Sequence, residues 1–371
     1  MKLARIVLAA ILLAILAASP GLAQFPFLSK LMALSEKYTG LRLRLEKADD
    51  SGSWIPFTRS EKAKVQTEID DYLDDALSIL LDDSLVKRKN SIKQLQRANR
   101  ELEEEIAVLI VEKTAAPTST KFYEVWKSST GDIERKISDS RREISGNRSL
   151  IEKEMRTMGD ELAAADIRLS HEQINSIFIT VSGEDQLYGI IVLKNLYSIC
   201  DILKVSMAES NNLAVNKKYY GVFLLAAEAH KRQLLQNMDN IENVYLPRLA
   251  NLQGENRELM AQTRSLASEN PIYQGNLEAQ LITDKVANQF RDLLKDQTRI
   301  IEARLRPLEE IIRHTENTFK TVSLASSLSE AMDQSIFNLQ ALLEIPVVPP
   351  LAFENSLESK FLEISERLAS D

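Results

Sequence analysis

The chain of 371 residues has a formal net charge of −8, an aromatic content of 6% and one cysteine. An acidic chain is a poor candidate for nucleic-acid binding, because phosphate contacts need concentrated lysine and arginine. One cysteine excludes an internal disulfide bond. The 11 glycines and 10 prolines are few for a fold with many tight turns, so the composition favours long helices.

The first 23 residues have the pattern of a secretory signal peptide. Lys2 and Arg5 supply positive charge, residues 6–18 form an apolar run, and small residues precede Gln24. Because a membrane span needs about 20 apolar residues, we expect cleavage after Ala23, with retention as a membrane anchor as the alternative. No later apolar run reaches a spanning length. The sequence therefore predicts an exported protein, periplasmic or secreted.

Residues 24–57 are predicted to form an N-terminal helix and loop, and residues 58–169 a first long helical hairpin. In both arms of this hairpin, apolar side chains alternate at spacings of three and four residues, which is the a/d pattern of a coiled coil. Asn99 falls at an a position, where a polar side chain lowers stability and fixes the register. The pattern changes phase around residues 82–86, so we expect an irregularity there. The register of the first arm is assigned to Leu95, Asn99, Leu102 and Ile106, and the seam of the second to Ile133, Ile137, Ser140, Ile144, Asn147 and Ile151.

Three further segments follow the first hairpin. Residues 170–212 are more apolar and are predicted to form a compact helical region, which opens with Ser170 and Gln173 in the pattern of a capping box. Residues 213–322 are predicted to form a second long hairpin. Residues 323–371 are predicted to form C-terminal helices around a Pro-rich connector.

Local signals within these segments allow finer predictions. Pro247 and Pro307 lie inside the arms of the second hairpin, where a proline removes a backbone hydrogen bond and is expected to bend the helix. In the second arm we place the apolar seam at eight residues: Val286, Phe290, Leu293, Ile300, Leu305, Leu308, Ile312 and Phe319. The last helix is predicted over residues 355–369.

The predicted fold is all-α and elongated, with long antiparallel coiled-coil hairpins and a more compact apolar middle region. The arms of the two hairpins have similar lengths, about 80 Å each at a rise of 1.5 Å per residue. Heptads show that helices pair, but the pairing can occur within one chain or between chains. Both arrangements are therefore left open by the sequence.

No residue pattern of an enzyme or a metal site emerges. His171, His230 and His314 have no partner at the spacing of a helical zinc or di-iron motif, and no phosphate loop or nucleophile elbow is present. Cys200 lies in an apolar helical context and is predicted to be a buried hydrophobic residue. We therefore expect no catalytic, cofactor-binding or metal-binding residues. The paired aspartates are interpreted as a solvated acidic face rather than a cation site: Asp70-Asp71, Asp74-Asp75 and Asp82-Asp83.

A cluster of cationic and aromatic residues marks the start of the second hairpin. Lys217, Lys218, Tyr219 and Tyr220 form a candidate interaction site, because tyrosine beside positive charge is common at interfaces. The alternative is an ordinary helix start whose rings lie in the core.

These features favour a non-enzymatic structural or adaptor protein of the bacterial cell envelope, located in the periplasm. Its expected partners are proteins, among them an inner-membrane complex or a second copy of the chain. The alternative is a secreted helical effector or surface protein that acts outside the cell.

Overall fold

The structure is a computed structural model, and it confirms the all-α class. Within the residues it describes, 96% of positions are helical and none is in a strand. The predicted signal peptide, the loop at residues 51–57 and the prolines at positions 346–350 lie outside those residues. The described residues are 26–50, 59–81, 84–115, 130–164, 167–209, 213–320, 337, 339–342, 344–345 and 355–369.

Ten α-helices are named here, with two short helical segments of other types between them. A π-helical turn covers Asn240–Tyr245, and a 3₁₀ turn covers Pro271–Tyr273. No helix in the described part of the chain is both long and apolar enough to cross a membrane. The α-helices are α1 (Pro26–Asp50), α2 (Arg59–Leu80), α3 (Ser84–Ala115), α4 (Thr130–Ala163), α5 (His171–Ile179), α6 (Gly183–Glu209), α7 (Leu213–Asp239), α8 (Leu246–Glu269), α9 (Gln274–Lys320) and α10 (Asn355–Ala369).

The chain divides into two compact units, here called the hairpin unit and the larger unit. The hairpin unit is Asp83–Phe178, and the larger unit combines the chain up to Asp82 with the chain from Ile179 onward. The single helix that we predicted as the first arm is therefore two helices, α2 and α3, in different units. Buried Leu80 and Leu85 are five positions apart, a spacing that one continuous helix does not place on one face. The predicted compact region at 170–212 is likewise divided, between α5 and α6.

In the hairpin unit, α3 and α4 pair in antiparallel directions within one chain. Arg88 near the start of α3 contacts Glu161 near the end of α4, and Lys113 near the end of α3 contacts Glu134 near the start of α4. The opposite order of the contacts establishes the antiparallel direction. The apolar core between the two helices contains Ile106, Leu109, Ile133, Ile137 and Ile144.

In the larger unit, α7, the π-helical turn and α8 form one long arm that packs against α9. Lys231 of α7 contacts Glu309 at 2.8 Å, whereas Gln253 of α8 contacts Asn288 at 3.0 Å, so this pair of arms is also antiparallel. Helix α6 packs beside α7 and is almost wholly buried along residues 187–196. The largest fully buried side chains of this unit are aromatic: Tyr38, Tyr220, Phe223, Phe290 and Phe361.

The two prolines predicted to disturb the second hairpin have different settings. Pro247 lies in the first turn of α8, directly after the π-helical turn. Because proline has no N–H to donate, the regular hydrogen-bond ladder fails at this position. The N–H of Leu246 instead reaches back to the carbonyl of Ile241, which is a π-type bond. Pro307 lies inside α9, which is assigned as one helix.

Candidate functional site

The residues assigned to the coiled-coil register lie along the seam of the hairpin unit. Asn99 is 8% exposed, and its side-chain carbonyl accepts a 2.9 Å hydrogen bond from the amide of Asn147 on α4. Ile106 belongs to the apolar core, Leu102 packs against that core, and Leu95 is half-buried. A polar pair thus interrupts an apolar seam at one level. That it fixes the register remains a prediction.

Charged contacts accompany the polar pair along α3 and α4. The guanidinium of Arg88 donates to Glu154 at 2.6 Å and to Glu161 at 2.8 Å, and the two carboxylates raise its pKa. Arg148 contacts Glu103 at 3.1 Å. Exposed ion pairs contribute only about 0–1 kcal/mol each. Their main effect is to favour one alignment of the two arms over its neighbours.

Replacing the polar pair tests its role in the register. The double variant Asn99→Leu with Asn147→Leu is expected to raise the free energy of unfolding of the hairpin unit by about 1 kcal/mol, because two apolar side chains replace one polar contact. The single variant Asn99→Leu is expected to gain less, because it leaves the amide of Asn147 without its partner. Urea unfolding monitored by circular dichroism measures both.

The double leucine variant is also expected to allow α3 and α4 to pair in more than one register. Cysteines introduced as Lys113→Cys and Glu134→Cys occupy a level where the two arms touch, so they should crosslink in the wild-type background. In the double leucine variant, a pair shifted by one heptad, Lys113→Cys with Arg141→Cys, should also crosslink. If the shifted pair stays uncrosslinked in both backgrounds, the asparagine pair does not determine the register.

The four residues of the candidate interaction site at the start of α7 separate into two groups. Tyr219 and Tyr220 are buried, with 5% and 0% exposure, so their rings are part of the core and cannot anchor a partner. Lys218 pairs with Glu36, and the Lys217 ammonium lies 5.0 Å from the centre of the Phe319 ring. The burial of the two rings agrees with the alternative of an ordinary helix start, both lysines have contacts within the chain, and partner binding at this cluster stays a prediction.

The acidic face of α2 pairs with an arginine of α7. Arg232 donates to Asp74 at 2.8 Å and lies 3.0 Å from Asp70, and both carboxylates raise its pKa against the effect of partial burial. Asp82 and Asp83 lie outside the described residues. Across the described ranges, no group of three His, Cys, Asp or Glu side chains could hold a metal ion. Through Arg232, Asp70 and Asp74 therefore connect α2 to α7.

Two side chains of potentially reactive types, Cys200 and His230, are buried in the larger unit. Cys200 is fully buried, and burial raises the pKa of its thiol well above the usual range, so the reactive thiolate does not form at neutral pH. His230 is 1% exposed, and burial followed by the charge of Arg304 lowers its pKa to about 3. Its imidazole is therefore neutral, and its Nδ1 has no hydrogen-bond partner.

A set of buried polar side chains near His230 was not predicted. Ser182 at the start of α6 donates to the side-chain carbonyl of Gln297 at 2.7 Å, and Arg304 donates to the carbonyl of Ile345 at 3.0 Å. Gln297 and Arg304 are each 3% exposed. Burial of a polar group is costly unless the group is hydrogen-bonded, and the side-chain amide nitrogen of Gln297 and the Nε of Arg304 have no hydrogen-bond partner.

The sequence contained a signal for this set that our seam missed. The buried face of α9 runs through positions 290, 294, 297, 301, 304, 308, 311 and 315, at strictly alternating spacings of four and three. Six of the eight residues that we assigned to the seam are buried, and the other two, Ile300 and Leu305, are half-buried. If polar residues had been allowed at seam positions, the pattern would have placed Gln297 and Arg304 on the buried face of α9.

At the far end of the second hairpin, where α8 connects to α9, polar side chains lie in the interior and large aliphatic side chains are exposed. In its interior, Gln280 donates to the hydroxyl of Thr263, and Asn256 donates to the carbonyl of Gln280, both at 2.9 Å. Met260 is the buried apolar side chain beside them. On its outside, five large aliphatic side chains are 44–76% exposed, and we call them the aliphatic tip: Leu259, Leu266, Ile272, Leu281 and Ile282.

Comparison of the chain with protein-family models, with curated proteins and with solved structures finds no match. Function must therefore be argued from the chain's own residues. The aliphatic tip and the buried polar set around Arg304 are features of the described residues that the packing of the helices leaves unexplained.

Proposed function

We propose that the chain is a non-enzymatic structural or adaptor protein of the bacterial cell envelope that presents its helical hairpins to protein partners. The observation that carries this proposal is the aliphatic tip. Large aliphatic side chains exposed together at one end of a hairpin, around a partly polar interior, are typical of a surface that a partner covers. A hairpin end with no partner would be expected to carry the charged residues found elsewhere on the same helices.

The occupant that fits the tip best is an amphipathic helix of a partner protein. Leu259 and Leu266 are seven residues apart, so they lie on the same face of α8. This spacing matches the apolar stripe of a helix that packs alongside. Exposed Glu258 lies on a different face of α8, so the apolar stripe occupies only one side of this helix.

Export and location in the periplasm are part of the same proposal. They are supported by the charged and apolar pattern of residues 1–23. An adaptor in this compartment would contact protein complexes of the inner membrane or further copies of itself. A secreted effector would carry the same export signal, so the location of the protein separates the two functions.

A photo-crosslinking amino acid at the aliphatic tip tests the docking surface. In cells that produce the protein, the substitution at Leu266 is expected to give a discrete adduct several-fold more abundant than the substitution at Glu258, the control on the same helix. Adding Leu259→Glu should abolish that adduct, because a carboxylate opposes burial of the stripe.

The identity of the adduct and the location of the protein decide between the alternatives. Mass spectrometry that finds an inner-membrane protein supports the adaptor, and a second copy of the chain supports a homo-oligomer. Recovery from the periplasmic fraction supports the adaptor, whereas recovery mainly from the culture medium supports the secreted protein. Equal labelling from positions 258 and 266 would contradict docking at the tip.

A further inference from the structure

A small cavity lies among the buried polar side chains of the larger unit, next to the π-helical turn. Its volume is about 30 Å³, space for about two water molecules. Residues of α6, α7, α9 and the π-helical turn line it, among them Ser182, Gln186, Ile241, Gln297, Ile301 and Arg304. Aliphatic side chains, among them Leu234, Ile241 and Ile301, make up most of this lining, and the polar groups of Ser182, Gln186, Gln297 and Arg304 are the ones that could bind a water molecule or an ion.

Two donors in this lining have no acceptor. The Nε of Arg304 and the side-chain amide nitrogen of Gln297 are buried and have no hydrogen-bond partner. Both residues lie on the cavity-facing side of α9, seven positions apart. Buried donors of this kind are rare, because each one loses its hydrogen bonds to water. Two of them beside one cavity indicate a missing acceptor, and the lining also contains one buried acceptor without a partner, the side-chain oxygen of Gln186.

Within the part of the chain that the structure describes, the charge of Arg304 has no counter-ion. No carboxylate of the described residues forms an ion pair with its guanidinium, which donates to the neutral carbonyl of Ile345. Burial lowers the pKa of Arg304 to about 10, so the side chain still carries its charge at neutral pH. A buried charge without a counter-ion destabilises a fold strongly.

The one acidic residue that lines the cavity is engaged elsewhere. The carboxylate of Asp185 accepts hydrogen bonds from the amide of Asn240 at 3.2 Å and from the hydroxyl of Tyr245 at 3.3 Å. Its backbone carbonyl accepts from Gln233 and Asn237, both at 2.9 Å. Asp185 thus anchors the π-helical turn and leaves the guanidinium of Arg304 unpaired.

We propose that this cavity binds a small monovalent anion, chloride being the one of matching size, between the Arg304 guanidinium and the side-chain amide of Gln297. The volume admits a monatomic ion. The anion would supply the missing acceptor for both donors and the missing counter-charge in a single contact. This inference is independent of the proposed docking at the aliphatic tip.

Thermal unfolding at constant ionic strength tests the site, with gluconate replaced stepwise by chloride. The wild-type melting temperature is expected to rise and then level off, as binding to the folded state alone requires. Arg299→Gln, an exposed control on the same helix, should behave like the wild type, and Arg304→Gln should lose the response. Equal melting temperatures of the wild type in chloride and in gluconate overturn the proposal and leave the cavity to water.

A second variant keeps the test decisive if Arg304→Gln does not fold. Gln297→Glu has nearly the same shape and places a carboxylate beside the cavity, so it should remove the response to chloride and raise the melting temperature in gluconate. Chloride-35 NMR measures binding directly. The wild type should broaden the chloride signal. The broadening caused by Gln297→Glu should be smaller by a factor of about ten or more, as expected for the loss of a charged hydrogen bond. A Gln297→Glu variant that responds to chloride like the wild type contradicts the site.

Discussion

Replacing Phe290 by alanine is expected to lower the free energy of unfolding of the larger unit by about 3–5 kcal/mol. The Phe290 ring is fully buried on α9 and stacks on Phe361 of α10, with ring centroids 4.6 Å apart and planes inclined by 18°. Alanine removes this stacking and leaves a cavity between the two helices, which packed interiors fill poorly. Urea unfolding followed by circular dichroism measures the loss.

Leu281→Ala is the matched control, because Leu281 lies on the same helix and is 47% exposed. Its effect should stay within about 0.5 kcal/mol. Phe361→Ala and the double variant complete a mutant cycle, in which the two rings should show a coupling of about 0.5–1.5 kcal/mol. Similar losses from Phe290→Ala and Leu281→Ala would show that the ring does not pack as described.

Acid is expected to destabilise the wild-type larger unit more than the variant His230→Gln. The pKa of His230 is about 3 in the folded state and about 6.5 in the unfolded chain. Between these values the unfolded chain binds the proton and the folded chain does not, so the stability due to this residue is complete above pH 6.5 and falls as the pH drops. Between pH 7 and pH 5 the difference should reach about 2 kcal/mol, at 1.36 kcal/mol per pH unit.

The measurement compares urea unfolding curves at pH 7, 6 and 5 for both proteins. Carboxylates titrate in wild type and variant alike, so the difference between the two isolates His230. His314→Gln, at an exposed position on α9, shows whether loss of any histidine has the same effect. Parallel pH curves for wild type and His230→Gln would mean that the imidazole is protonated in the folded state or not buried.

Local signals in the sequence were sufficient for the existence and much of the extent of several helices. The last helix was predicted over 355–369 and occupies Asn355–Ala369. The capping box is formed as expected, with Ser170 N–H donating to Gln173 at 2.8 Å and Gln173 N–H donating to the Ser170 hydroxyl at 3.3 Å. Both depend on residues within one or two helical turns, which is the range over which side-chain pattern and backbone geometry are directly linked.

The apolar side of a helix was predictable where a single partner helix covers it. Helix α4 packs against α3, and four of its six predicted seam residues, Ile133, Ile137, Ser140 and Ile144, are buried, whereas Asn147 and Ile151 are half-buried. Helix α9 packs against α7, α8 and α10. With several neighbours, burial extends beyond one apolar stripe, and it can enclose Gln297 and Arg304, which composition alone would assign to the surface.

The sequence by itself determined that the chain is helical, where most helices lie and which side of α4 is apolar, because these properties follow from contacts between residues close in sequence. Only the tertiary structure decided that the helices of each hairpin pair within one chain, that the predicted first arm is two helices, that the rings of Tyr219 and Tyr220 lie in the core, and that Arg304 is buried. Each of these depends on which helix covers a given face. That choice minimises the free energy of the whole set of helices, and it is not encoded in the pattern of any one of them.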